Sequence, residues 1–257
     1  MEYLIIPLVA LIASALTLFS GFGLGTLLMP AFALFFPVSI AVALTAVVHM
    51  LNNFFKLALM GKYADRNTTL RFGVPAVLAA FGGAALLVWM SRLPALATYQ
   101  LAGHGFEVSS VKLVIAVLMV IFALVEILPQ FEKLEFKPRY LPLGGIISGF
   151  FGGLSGHQGA MRAAFLVRAG LTKEAFIGTG VVIAVLVDLT RLSVYVAHFT
   201  TTGFQQHWQI LVAATVAAFL GAFIGSRLMK KVTLRAVQLL VAVMLIVIAV
   251  LLGAGVI

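Results

Sequence analysis

Residues 155–162, with the sequence Ser-Gly-His-Gln-Gly-Ala-Met-Arg, combine an open backbone with several hydrogen-bond donors and a cation. Glycines let a ligand approach the main-chain amides, and the helical piece that follows would direct its first N–H groups and its dipole at an anion. The guanidinium of Arg162, about one helical turn further on, matches an oxyanion. The predicted anion site comprises Ser155, Gly156, His157, Gln158, Gly159 and Arg162. Alternatively, His157 and Gln158 cap a buried helix break, and Arg162 forms a structural ion pair or snorkels.

A second glycine cluster lies near the N-terminus, in the run Gly-Phe-Gly-Leu-Gly-Thr that begins at Gly21. There Gly23, Gly25 and Thr26 offer only backbone and hydroxyl donors. We expect them to form the opposing half-helix terminus of the same site.

His49, Asn53 and Lys56 are spaced i, i+4 and i+7, which places them on one helix face, and Asn52 adjoins them. Such a stripe in an apolar helix is expected to face the protein interior. His49, near the centre of its segment, is a candidate proton carrier, whereas Lys56 lies nearer one end and is expected to snorkel. The alternative for His49 and Asn53 is hydrogen bonding that holds helices together.

Asp188 and Arg191 form a further charged pair within an apolar segment. Their spacing of three residues permits a direct ion pair, which lowers the cost of burying both charges. The pair either lines the site together with the stripe that contains His49 or has a purely structural role.

The composition places these residues in a membrane. Of 257 residues, 63% are apolar and 10% are charged, against roughly 45–50% and 25% in soluble domains. An ordinary soluble enzyme, a disordered chain and a nucleic-acid binder are excluded, and a polytopic α-helical membrane protein with roughly 7–9 membrane segments remains. Because there is no cysteine, disulfides and thiol chemistry are excluded. We predict no cofactor and no metal site.

Hydrophobic runs separated by polar breaks define the predicted segments. Most are long enough to span a bilayer, but 24–36, 142–154 and 158–169 have about a dozen residues each, which indicates broken or re-entrant helices. We predict two hairpins, 4–36 and 142–169, which return to the side from which they start. The long segments are 38–60, 72–90, 111–128, 174–198, 207–226 and 234–256.

The distribution of basic residues sets the predicted orientation. With both hairpins re-entrant and both termini outside, twelve of the 17 Lys and Arg residues lie in cytoplasmic stretches, as the positive-inside rule requires. These are Lys62, Arg66, Arg71, Lys133, Lys137, Arg139, Arg168, Lys173, Arg227, Lys230, Lys231 and Arg235. The outer loops keep only Arg92 and Lys112. The nearly uncharged loop 92–110 is expected to be an outer lid or a linker.

The two halves resemble each other at an offset of 134 residues, which pairs Ser14 with Ser148, Gly25 with Gly159 and Thr45 with Thr179. We predict a first repeat over 1–130, a linker over 131–141 and a second repeat over 142–257. Each repeat comprises a hairpin and three spanning helices, and this odd number of crossings inverts the second half. Inverted repeats with interrupted helices are typical of secondary transporters.

The stretches 21–30, 41–45, 152–162 and 170–175 resemble the TauE/SafE family of sulfite and organosulfur anion exporters. This resemblance covers nearly the whole chain and implies a transporter of small sulfur-containing anions in the bacterial cytoplasmic membrane, not an enzyme. In the second half, Ala164 replaces the proline found at Pro30 in the first half, and His157, Gln158 and Arg162 are added polar residues. These differences leave room for a subgroup with another substrate.

We therefore expect a secondary transporter that exports sulfite or an organosulfonate. The lipid bilayer and a second copy of the chain, in a homodimer, are the candidate partners, and nucleic acid is not. An anion channel, or an importer of another small organic anion, is the alternative. The pattern Gly153-Leu-Ser155-Gly, together with His198, also permits a rhomboid-like intramembrane serine protease. His198 is expected at the outer surface, however, whereas Ser155 belongs to a hairpin that enters from inside.

Overall fold

The fold was analysed in a computed structural model, which describes residues 1–20, 24–101, 103–128, 135–199, 207–228 and 234–257. This part of the chain contains ten α-helices and one β-hairpin. The helices of the first half are α1 (Glu2–Ser20), α2 (Leu24–Ala33), α3 (Val38–Met60), α4 (Arg66–Met90) and α5 (Ser110–Ile127). Those of the second half are α6 (Leu141–Ser155), α7 (Gly159–Leu166), α8 (Lys173–Phe199), α9 (Trp208–Leu228) and α10 (Leu234–Gly253).

Four helices in the described part are long and apolar enough to cross a membrane: Val38–Tyr63, Arg66–Met90, Lys173–His198 and Trp208–Gly225. Together with the composition, they make the chain a multi-pass α-helical membrane protein, as the sequence predicts. The segments predicted to be too short form helices of 10, 15 and 8 residues in α2, α6 and α7. A helix rises about 1.5 Å per residue, so α2 and α7 are far too short to span the hydrocarbon core.

Local sequence fixes the ends of several helices. Asp65 caps α4, and its carboxylate accepts a hydrogen bond of 2.7 Å from the backbone N–H of Thr68. The hydrogen bonds that Asp65 receives from Thr68 lower the pKa of its carboxyl group. Helix α6 ends at its C-terminus because Gly156 has a φ of +82°, a left-handed conformation that glycine adopts without strain.

The loop 92–110 differs from the all-α prediction, because it contains an antiparallel β-hairpin of β1 (Ala97–Leu101) and β2 (His104–Val108). The rings of Tyr99 and Phe106 stack with centroids 5.2 Å apart, and the Tyr99 hydroxyl donates to the carbonyl of Ala254. The side chains of β1 are exposed throughout. The hairpin is held by cross-strand pairing and by the C-terminal segment rather than by a hydrophobic core, so the hydropathy of this loop does not reveal it.

Glycines bring α4 and α6 into close parallel contact. A Cβ on Gly145, Gly149 or Gly153 of α6 would lie 2.1–2.2 Å from a backbone carbonyl oxygen of α4. In the same way, a Cβ on Gly221 or Gly225 of α9 would lie 2.1 or 2.6 Å from a carbonyl oxygen of α1. Small residues spaced four apart allow membrane helices to pack backbone to backbone. The start of each half thus packs on the fourth helix of the other half.

Helices α3 and α8 pack antiparallel, and the charged residues lie at their crossing. His49 contacts Asp188, while a Cβ on Gly178 would lie 2.5 Å from the carbonyl oxygen of Met60. Positions 49–60 of α3 therefore run alongside positions 188–178 of α8 in opposite directions.

The contacts between loops define two ends of the helix bundle. At one end the pairs Tyr3–Gln209, Phe36–His207 and Tyr99–Ala254 come together. At the other end the pairs Arg71–Pro138, Phe136–Ala164 and Asp65–Thr179 come together. The second end carries Lys62, Arg66, Arg71, Lys137, Arg139, Arg168 and Lys173, whereas Arg92 and Lys112 lie at the first end.

Candidate functional site

The carboxylate of Asp188 is fully buried and connects three elements of the fold. Its Oδ2 accepts from His49 Nδ1 at 2.7 Å and from Asn53 Nδ2 at 3.0 Å, both on α3. Its Oδ1 accepts from Arg191 Nη2 at 2.7 Å and Nε at 3.0 Å on its own helix, and from Gln158 Nε2 at 3.4 Å. The Asp188–Arg191 ion pair that the spacing predicts is present. The carboxylate also joins α3 and the α6–α7 break to α8.

The contact with Asp188 fixes the tautomer of His49. An ionised carboxylate is only an acceptor, so the His49 nitrogen that faces it, Nδ1, carries the hydrogen. The other ring nitrogen is then the one that can take up or release a proton. Asn53 donates to the same oxygen and lies 3.0 Å from His49 Nδ1. The stripe on α3 therefore faces the protein interior, as its spacing predicts.

Arg191 is occupied by structural partners. Besides Asp188, its Nη1 donates to the carbonyl of Gly152 at 3.5 Å. A Cβ on Gly156 would lie 2.8 Å from the same Nη1, so this left-handed glycine also makes room for the guanidinium. Tyr195, one turn further along α8, donates through its hydroxyl to the carbonyl of Gly153. Together Arg191 and Tyr195 hold the C-terminal turn of α6 against α8.

His157 lies in the break between α6 and α7 and is buried. Its ring stacks face to face on Phe122 of α5, with centroids 5.0 Å apart and planes at 1°. Its Nδ1 lies 3.1 Å from the Ser155 hydroxyl, which itself donates to the carbonyl of Phe151. Its Nε2 has no hydrogen-bond partner among the described residues. A buried polar atom without a protein partner is uncommon, and this nitrogen is available to a ligand, an ion or a water.

Gln158 bridges the buried ion pair and the predicted anion-binding arginine. Its Nε2 donates to Asp188, and its Oε1 accepts from Arg162 Nη1 at 3.2 Å. Its backbone carbonyl accepts from the Ser148 hydroxyl at 3.1 Å. The amide is oriented by these partners, because its NH₂ group faces the carboxylate and its oxygen faces the guanidinium.

Arg162 differs from Arg191 in its electrostatic environment. Arg162 is half-buried, and its side chain donates a hydrogen bond to Gln158. It forms no salt bridge with any described residue. A Cβ on Gly180 would lie 3.5 Å from Arg162 Nε, so the guanidinium lies against α8 at a position without a side chain. Of the two arginines in this site, Arg191 is in direct contact with the carboxylate of Asp188, whereas Arg162 is connected to it only through Gln158 and is attracted to it at longer range.

The break in the second half meets the start of α2 from the first half. Gly25 and Thr26 are buried in the first turn of α2, and a Cβ on Gly25 would lie 3.4 Å from the carbonyl oxygen of Gly156. The same Cβ would lie 3.6 Å from Thr45 Cγ2 on α3. Gly159 begins α7 and is also buried. Gly23, another predicted site residue, lies outside the described residues.

Two further buried polar atoms without a described partner lie on α3. These are Thr45 Oγ1 and Asn52 Nδ2, whereas Asn52 Oδ1 accepts from the Ser14 hydroxyl at 3.5 Å. Thr179, which the predicted repeat pairs with Thr45, instead accepts from the backbone N–H of Asp65 at 2.9 Å. In the sequence, Thr45 stands out because the predicted repeat pairs it with Thr179. The contact of Phe122 with His157 could not be predicted, because Phe122 is one apolar residue among many in α5.

Other features of the structure lie apart from this site. His198 bonds the carbonyl of Val194 in its own helix, so it has a different environment from Ser155. A cavity of about 500 Å³ opens at the end that carries the β-hairpin, and Ser91, Glu107 and Lys112 are among its lining residues. None of the predicted site residues lines it. No group of three or more potential metal ligands occurs in the part of the chain that the structure describes.

In the comparison with protein families, residues 6–252 match the model described as sulfite exporter TauE/SafE. Neither the comparison with curated proteins nor that with solved structures gives a significant match. The family model covers almost the full length, including every site residue described above. The chain thus belongs to the TauE/SafE sulfite exporter family, a family of membrane transporters.

Proposed function

We propose that this protein exports a small sulfur-containing oxyanion, sulfite or an organosulfonate, and that Arg162 and the α6–α7 break hold the anion. The observation that carries the proposal is that Arg162, beside a helix N-terminus, has no carboxylate in direct contact among the described residues. A cation within a membrane protein is costly unless it is paired. Arg191 has Asp188 as its direct counter-ion, whereas Arg162 contacts the neutral amide of Gln158 and is attracted to Asp188 only at longer range. A bound anion would complete the coordination of Arg162.

Donors around the break support the same conclusion. The first N–H groups of α7 have no partner within the helix and carry the positive end of its dipole. His157 Nε2 is buried without a partner close to them in sequence. Because the Ser155 hydroxyl donates to Phe151, His157 Nδ1 donates to Ser155, and Nε2 becomes a donor to an anion only when the ring carries a second proton. The first turn of α2, with Gly25 and Thr26, lies against the break at Gly156.

The exchange of helices between the halves supports an inverted repeat. Helix α6 of the second half packs parallel to α4 of the first, and α1 of the first packs parallel to α9 of the second. The pairs α3–α8 and α5–α10 join equivalent helices of the two halves. A two-fold relation between 1–130 and 142–257 accounts for all four pairings. The site then lies at the repeat interface, where alternating access can open it to either side.

The proposed orientation follows from the charges at the two ends of the bundle. The end with seven basic side chains is assigned to the cytoplasm of a bacterial cell, and the end with the termini and the β-hairpin to the outside. Arg162 then lies between the break and the cytoplasmic end. An anion leaving the cell gains about 2.3 kcal/mol per charge per 100 mV of inside-negative potential.

The His49–Asp188 pair is the proposed coupling site if protons move with the substrate. His49 takes up or releases a proton at the nitrogen that does not face Asp188. Gln158 contacts both Asp188 and Arg162. A change in the protonation of the His49–Asp188 pair therefore alters the surroundings of Arg162 through the side chain of Gln158.

Sulfite efflux from proteoliposomes tests the proposal. Arg162→Ala is expected to abolish saturable flux, and Arg162→Lys to retain a fraction of it, because lysine keeps the charge but loses the fork. Arg168→Ala is the matched control, since Arg168 is exposed on the same segment and pairs with Glu135. Flux in Arg162→Ala equal to that in Arg168→Ala would contradict the proposal. Rapid flux that is driven by the sulfite gradient alone and does not depend on a coupling gradient or a counter-ion would favour a channel.

A further inference from the structure

Lys56 is a second cation within the helix bundle without an acidic partner among the described residues. It is half-buried on α3, and it forms neither a salt bridge nor a side-chain hydrogen bond with any described residue. It belongs to the polar face of α3 that carries His49 and Asn53. A lysine that snorkels to the membrane surface would be exposed at its ammonium group and far from other cations.

The packing of α3 on α8 instead directs Lys56 towards Arg162, and the two cations repel each other. The antiparallel packing of α3 on α8 explains this, because Lys56 lies between the levels at which His49 meets Asp188 and Met60 meets Gly178. Gly180 is on the same stretch of α8, and the Arg162 guanidinium lies against it. Lys56 and Arg162 thus approach the same space from α3 and α7.

Two neighbouring cations of this kind repel each other and are poorly hydrated. Their mutual repulsion is several times larger at the effective dielectric constant of a protein than in water. Asp188 attracts Arg162 at longer range, but its two carboxylate oxygens already pair with Arg191 and His49. An incoming ligand with two negative charges removes the repulsion, whereas a ligand with one charge leaves one cation uncompensated.

We propose that Lys56 and Arg162 together form a site for a doubly charged oxyanion, and that Lys56 determines the preference for two charges over one. The inference rests on the proposed function and specifies the charge of its substrate. Arg162 supplies the planar fork for two oxygens. Lys56 supplies a point charge from the opposite helix. The site lies on the cytoplasmic side of the break, where it loads the anion before it reaches His157.

The experiment compares sulfite with methanesulfonate, which has the same SO₃ group but a single charge. Sulfite is used at a pH above its second dissociation, so that the dianion predominates. Lys56→Gln is expected to raise the sulfite KM by roughly tenfold to a hundredfold, while the affinity for methanesulfonate, measured by flux or by competition, changes by less than about threefold. Lys56→Arg restores most of the sulfite affinity. Lys62→Gln is the control, because Lys62 lies over the exposed ring of Tyr63.

An unchanged sulfite KM in Lys56→Gln overturns the inference, whatever methanesulfonate does. An equal loss of affinity for sulfite and methanesulfonate also overturns the inference, because Lys56 would then not distinguish a doubly charged anion from a singly charged one. If Arg162→Ala abolishes flux while Lys56→Gln has no effect, this inference fails and the proposed function stands. If neither variant affects flux, the proposed function itself fails. The melting temperature of each purified variant shows whether it has folded.

Discussion

Adjacent glycines in α4 allow the packing of α4 on α6 to be tested with a single type of substitution. A Cβ at Gly83 would lie 2.0 Å from the carbonyl oxygen of Phe150 and 2.8 Å from the backbone nitrogen of Leu154, both on α6. A Cβ at Gly82 has no described atom within 4 Å, and this residue is exposed on the outer face of the helix. Gly83→Ala is therefore expected to destabilise the folded protein, whereas Gly82→Ala is expected to stabilise it slightly.

The magnitudes follow from the contact distances. Carbon and oxygen atoms approach to about 3.3 Å at closest, so Gly83→Ala must separate the two backbones by roughly 1.3 Å. Overpacking of this kind costs about 1–3 kcal/mol, and alanine returns at most about 1 kcal/mol through its helix propensity. Gly82→Ala has only the favourable contribution, about 0.4–1 kcal/mol.

Thermal unfolding of the purified protein is the assay. At about 2–4 °C per kcal/mol for a chain of this size, Gly83→Ala lowers the melting temperature by a few degrees and Gly82→Ala raises it slightly. Sulfite efflux is expected to fall in Gly83→Ala alone, because α6 carries the break at Gly156. Equal shifts of the two variants in either direction would refute the close packing of α4 and α6.

Two further predictions concern charged residues. Asp188→Asn leaves Arg191 buried without its counter-ion and is expected to lower the free energy of unfolding by about 3–5 kcal/mol. Adding Arg191→Gln is expected to recover part of this stability in thermal unfolding. A double variant whose loss of stability equals the sum of the two single losses would argue against the pair. Asp65→Ala is expected to cost about 0.5–2 kcal/mol through the lost cap, and Asp65→Asn to cost less. Because the pKa of Asp65 is lowered in the folded protein, its charge stabilises the fold above the ordinary carboxyl pKa of about 3.9, and this contribution is lost as the pH falls through the lowered value. A difference between wild type and Asp65→Asn that does not change with pH would contradict the role of the charge.

Much of the fold could be predicted because hydropathy and charge act through simple rules in a membrane. Segment length identified α2 and α7 as too short to span, and the three-residue spacing of Asp188 and Arg191 predicted their ion pair. The polar spacing on α3 predicted that its stripe faces inward. The β-hairpin at 97–108 was not predicted, because it is exposed and its strands have five residues each.

The site was only partly predictable, since periodicity identifies a helix face but not its neighbour. Nothing in the sequence pairs His49 with Asp188, which lies 139 residues away. Nor does the sequence show which of the two arginines is neutralised, and this distinction supports the assignment of Arg162 to the anion. Gly23 lies outside the described residues, and the repeat boundaries remain predictions.

Equilibrium binding of radiolabelled sulfite to the purified protein tests the central claim most directly, because it does not depend on transport direction or coupling. We predict saturable binding to wild type and to Arg168→Ala, and none to Arg162→Ala at the same concentrations. Undiminished binding to a folded Arg162→Ala variant would contradict the claim that Arg162 holds the anion.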